Sequence, residues 1–181
     1  MAGDHLFWLT SRAAGVASLL FASLAVAIGL SMGSRFTRTR RVDLRVLHEA
    51  LSLAALVALG VHAVSLLFDS YLHPSLTDIA IPFASAYQRW WMAAGIAGGW
   101  ILLILGLSAY ARTRIGQQRW RKLHRYTALG WALGLAHAIG HGTDARAWWF
   151  LLAVAATAIP AAALLAARLA PTLPDPEPRS A

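Results

Sequence analysis

The chain has no cysteine and little charge: of 181 residues only 13% are charged, and 8 acids face 16 Lys and Arg. Without cysteine there can be no disulfide, thiolate ligand, iron–sulfur cluster or cysteine nucleophile, which leaves histidine as the chief soft ligand. The scarcity of charge excludes an ordinary soluble domain, because 58% of the residues are hydrophobic and they fall in blocks of about 18 or more, the length of a bilayer span. A cleaved signal is not expected at the start: Arg12 interrupts the first stretch early, and residues 13–32 read as the body of a retained helix. The formal charge of +8 suggests a nucleic-acid partner only until the cations are placed. They lie in short stretches between apolar blocks, so topology accounts for them and no nucleic-acid partner is expected.

The pattern predicts an all-α integral membrane helical bundle of about five transmembrane helices, over 9–32, 45–68, 90–111, 122–141 and 147–169. Residues 1–170 form one membrane domain in this reading, and the Pro-rich stretch 171–181 a disordered cytoplasmic tail too short and polar for a soluble flavin or nucleotide domain. The first connection carries Arg35, Arg38, Arg40, Arg41 and Arg45; the third carries Arg112, Arg114, Arg119, Arg121, Lys122 and Arg125; Arg168 and Arg179 follow. Only Arg12, Arg89 and Arg146 fall on the opposite side, so positive-inside bias places the N-terminus outside and the C-terminus in the cytoplasm of a cell-membrane protein. The second connection, 69–89, is broken by His73-Pro74 and Ile81-Pro82. Trp90, Trp91, Trp148 and Trp149 read as an interfacial aromatic belt.

Four histidines inside apolar blocks carry the functional signal. His48 and His62 are 14 positions apart and His124 and His137 are 13 apart, separations of roughly 20 Å along a helix. Spans two and four run the same way, so His48 lies level with His124 and His62 with His137, and each level offers two axial nitrogens to one haem iron. The angular match is incomplete: 14 steps return to within about 40° of the starting direction, but 13 steps leave His137 roughly 140° from His124. Span four therefore needs a bulge, kink or tilt, for which Gly130, Gly134 and Gly140 leave room, or else His124 must sit at a helix end. His141, one turn beyond His137, is the rival ligand, and with His73 it is a candidate for electron exit or substrate contact.

Arg12 and Arg89 on one side, and Arg45, Lys122 and Arg125 on the other, stand where the haem carboxylates would need cations, although boundary cations also serve topology and lipid contact. Three functions compete on these residues. The first is a dihaem electron conduit; the second is proton or metal-ion transport along a histidine ladder, which requires more acids than Glu49 supplies within a span. The third is a structural anchor whose histidines hydrogen-bond between helices.

Arg12-Ala-Ala-Gly15, Leu47-His48 to Val61-His62, and Arg119-Trp-Arg-Lys-Leu-His-Arg125 leading to Ala136-His137 resemble the ferric reductase-like transmembrane domain family over nearly all of residues 7–165. That family includes NADPH oxidases, ferric reductases and the membrane subunit of the bacterial methionine sulfoxide reductase system. The resemblance implies a transmembrane cytochrome b with two b-type haems on the paired histidines. It would pass electrons from a cytoplasmic donor to an outer acceptor, as an oxidoreductase or as the electron-transfer subunit of one. Many relatives have six spans and an attached flavin and NADPH domain, so the donor here is expected to be a separate flavoprotein or a membrane quinol. Flavin or quinone would then enter through that partner, and an extracytoplasmic reductase could take the electrons.

Overall fold

A computed structural model of the chain describes residues 5–32, 41–69 and 73–170. The expectations for Arg35, Arg38, Arg40 and the tail 171–181 fall outside the described residues. Among those described, α1 (Leu6–Ser31), α2 (Arg41–Leu67), α4 (Arg89–Leu107) and α8 (Trp148–Leu169) supply the four helices long and apolar enough to cross a membrane; α4 is prolonged by a 3-10 turn, Ser108–Ala111, and by α5 (Arg112–Ile115). A short α3 (Leu76–Ala80) interrupts the second connection, its start fixed by a reciprocal Ser75–Asp78 capping box.

The span expected over 122–141 is not one helix. It consists of α6 (Gln117–His124) and α7 (Thr127–His141), separated by a turn at Arg125–Tyr126. With 15 residues, α7 is about 22 Å long, less than a hydrocarbon core of about 30 Å. The turn supplies the irregularity that the 13-residue histidine spacing demands, and it leaves His124 as the last residue of α6.

Helix α1 organises the bundle. Ser11, Gly15, Ser18, Ala22, Ala25 and Gly29 recur at alternating intervals of four and three residues, a small-residue stripe that lets a neighbouring backbone approach closely. Helix α2 lies along this stripe, held midway by the Ser18 hydroxyl donating to the Ala55 carbonyl at 3.0 Å. The apolar core is shared among α1, α2, α7 and α8 and contains Leu19, Ala22, Ala55, Trp131, Phe150, Val154, Ala158 and Ala161. Trp131, buried there, donates its indole N–H to the Ser23 hydroxyl at 2.9 Å. Large apolar residues such as Val57, Ile104 and Leu152 are exposed on the outside, as lipid-facing positions require.

A second close pair is α4 with α7. A Cβ at Gly98 would lie 2.7 Å from the Gly130 carbonyl oxygen, so both positions need glycine for the helices to approach this far. The α1–α2 unit and the α4–α7 unit meet where Trp131 of α7 packs into the core against α1 and, beside it, where Leu56 and Leu59 of α2 reach Gly106 and Gly99 of α4.

One ion pair closes the end of the bundle where α7 turns into α8. Arg12 of α1 forks onto both carboxylate oxygens of Asp144, which is only 4% exposed, and lies 5.0 Å from the centre of the Trp8 ring. Replacing Asp144 with Asn removes one charge of a pair whose Arg12 side chain is 34% exposed. It should cost about 1–3 kcal/mol, less than for a fully buried pair. Thermal unfolding in detergent reads this, and an unchanged midpoint would show that the pair does not hold the end closed.

Candidate functional site

The fold brings together the four histidines predicted from the sequence. His48 and His124 face each other with ring centres 6.2 Å apart and planes at 82°. His62 and His137 do so at 6.4 Å and 68°. The separation from His124 favours His137 over its rival His141 on depth, and in the structure His62 pairs with His137, the His141 ring lying beyond it, 5.7 Å from His137.

All four rings are anchored by the same atom. His48 Nδ1 lies 2.8 Å from the Ala25 carbonyl oxygen, His62 Nδ1 2.8 Å from that of Ser11, and His137 Nδ1 2.9 Å from that of Trp91. His124 Nδ1 makes a longer contact of 3.4 Å to the Leu105 carbonyl. A carbonyl can only accept, so each Nδ1 carries the proton and each Nε2 keeps its lone pair on the opposite edge of the ring. Ser11 strengthens one anchor: its hydroxyl lies 3.0 Å from His62 Nδ1 and donates back to the His62 carbonyl.

Three of the four rings also lie against a glycine placed four residues after the accepting carbonyl. A Cβ at Gly15 would come within 2.9 Å of the His62 ring, at Gly29 within 3.1 Å of His48, and at Gly95 within 2.7 Å of His137. The carbonyl and the glycine occupy adjacent turns of one helix face, so a ring held by the first must pass over the second. His124 departs from this arrangement. Its carbonyl, Leu105, lies where α4 gives way to the 3-10 turn, and it also accepts from the Ser108 hydroxyl at 2.6 Å; the other side of the ring is stacked by Trp120 at 4.9 Å.

The sequence pointed to the histidines but not to these supports. A signal was present: Gly15 and Gly29 are separated by the same 14 residues as His48 and His62. The cations expected near the site are dispersed. Arg12 is engaged by Asp144, a partner the sequence reading did not identify, and Arg89 lies over the Phe83 ring at 6.0 Å. Lys122 and Arg125 are exposed around the end of α6. Tyr110 donates to Glu49 at 3.3 Å.

Among the described residues no three His, Cys, Asp or Glu side chains converge on a common metal position. Each histidine pair can offer two nitrogens, which suits a metal whose other ligands come from a planar macrocycle. Two metal–imidazole bonds of about 2 Å, with about 1.1 Å from nitrogen to ring centre, place the two ring centres about 6.2 Å apart. The observed 6.2 and 6.4 Å fit that arrangement. Substituting alanine for the supporting glycines should disturb the rings in order of the available space: most at Gly95, less at Gly15, least at Gly29. Loss of the Nδ1 hydrogen bond, read from imidazole 15N shifts in the metal-free protein, checks this; an equal response at all three would contradict it.

The model of the ferric reductase like transmembrane component family matches residues 14–135. The matched stretch includes His48, His62 and His124 and ends two residues before His137. No curated protein and no solved structure matches the chain. The match spans well over half of the sequence and agrees with four membrane-length helices, so this multi-pass integral membrane protein belongs to the ferric reductase-like transmembrane component family.

Proposed function

We propose that this protein is a dihaem b-type electron conduit, in which His48 and His124 would hold one haem and His62 and His137 the other. The observation that carries this reading is the pairing itself: two facing imidazoles per level, centres 6.2 and 6.4 Å apart, each with Nδ1 turned to a carbonyl so that Nε2 is left for iron. When bound, haem would supply one-electron iron chemistry. The chain's own residues fix ring orientation through the Nδ1–H bonds and keep the surroundings apolar.

Lys122 and Arg125 are the cations offered to haem carboxylates at the His48–His124 level, and Arg89 at the other. Arg12 stays in that set, its guanidinium oriented by Asp144. The orientation that follows from charge puts α5, α6 and the His48–His124 level on the cytoplasmic side, with the fifth crossing made by α7 beyond the His124 end of α6. A separate flavoprotein or a membrane quinol delivers electrons there, and an outer acceptor, free or part of an extracytoplasmic reductase, receives them.

Transport along a histidine ladder finds little support. The rings face each other in pairs instead of forming a continuous file, and Glu49 is engaged by Tyr110.

The purified protein is expected to show low-spin b-type bands and two haems per chain, one for each bis-imidazole site. Exchanging His62 or His137 for Ala should remove one haem and leave the other reducible; exchanging His141 should remove neither. A colourless preparation from haem-replete cells, or retention of both haems in the His62 and His137 variants, would refute the assignment.

A further inference from the structure

Next to the His62–His137 level the structure has a cavity of about 450 Å³ that is widely open to the surface. Tyr87, Gln88, His141, Thr143 and Arg146 supply its polar wall. The cavity is linked to the histidine pair by successive ring contacts: His137 to His141 at 5.7 Å, and His141 to Tyr87 at 5.2 Å, edge to face.

The electrostatics of the wall are one-sided. Arg146 is the one charged side chain lining the cavity among the described residues. The nearest acid in sequence, Asp144, is buried with both carboxylate oxygens held by Arg12, so its charge is already neutralised. The remaining groups are a phenol, an imidazole, a hydroxyl and a carboxamide, all able to donate a hydrogen bond to oxygen. Gln88 adds a further sign of constraint. It adopts a left-handed backbone, φ 43°, at the start of α4, and its side chain makes no capping bond there. A non-glycine residue held in this region costs stability, a cost often associated with binding sites.

From these observations we infer that the cavity binds an anionic oxygen group, a carboxylate or phosphate, with Arg146 as the charged contact and Thr143, Gln88 and Tyr87 as donors around it. Its placement makes it a docking position on the acceptor side of the bundle. That role rests on the conduit reading, whereas the binding itself does not. Such a group could belong to a small solute or to a lipid headgroup, and the two sources are separable.

The test is calorimetric titration of citrate into the full-length, haem-loaded protein in phosphatidylcholine nanodiscs, repeated in discs containing phosphatidylglycerol. One saturable citrate site per chain is expected, with trimethyl citrate, the neutral ester, failing to bind. Arg146→Gln should weaken citrate by about tenfold or more, as loss of a charge-assisted contact implies, and Thr143→Val should weaken it less, both with unchanged haem spectra. Equal citrate affinity in the two discs supports a free solute as the natural occupant; competition by phosphatidylglycerol supports a headgroup. Absence of citrate binding in both discs, or binding indifferent to Arg146→Gln and to ester formation, overturns the proposal. Haem content is recorded on the same samples, so failure of the haem assignment shows separately.

Discussion

A histidine in a membrane interior is tolerated only if both ring nitrogens find partners, and that requirement governs how this bundle is put together. Nδ1 is satisfied by a backbone carbonyl at every one of the four rings, though over a longer distance at His124. The carbonyls belong to α1 and α4, helices that carry none of the four rings. Each ring-bearing helix is therefore obliged to lie against its carbonyl-bearing neighbour, α2 on α1, and α6 and α7 on α4. Because those carbonyls are already part of helical ladders, the ring must approach from the side, and glycine is the residue that leaves room for it.

The α1–α2 interface meets that demand by repetition. His48, Ala55 and His62 are seven residues apart in sequence, and the contacts they make on α1 fall at Ala25 and Gly29, at Ser18, and at Ser11 and Gly15. A seven-residue repeat between neighbouring helices is the register of coiled packing, and coiling at 3.5 residues per turn absorbs the roughly 40° that 14 straight-helix steps would leave. No such repeat is available between His124 and His137. There the chain breaks at Arg125–Tyr126, and His124 is set by α6 separately from His137 on α7.

The helical bundle and the depth pairing of the histidines were legible in the sequence because they depend on apolar block length and rise per residue, which are local. The need for a break in the fourth block was legible too, from the angular mismatch alone. Its position was legible only as one alternative, His124 at a helix end, which the structure adopts; the turn contains neither glycine nor proline, and two of the glycines that left room for irregularity serve other contacts. Gly130 admits the close approach of α4, and Gly140 lies beneath the Trp91 ring. Trp91 itself reads as a belt residue, yet its carbonyl holds His137, because any residue type at that position offers the same oxygen. The pairing of Arg12 with Asp144, 132 positions apart, could not be seen without the fold, since nothing local links one cation to one acid over that distance.

The account depends on facing imidazoles both ligating the same iron at each level, and electron paramagnetic resonance of the oxidised full-length protein tests this most directly. Ring planes at 82° and 68° predict two low-spin ferric species, both strongly anisotropic because crossed imidazoles leave the iron orbitals nearly degenerate. A dominant high-spin ferric signal, the mark of an iron lacking one imidazole, or a single low-spin species accounting for all the haem, would contradict it.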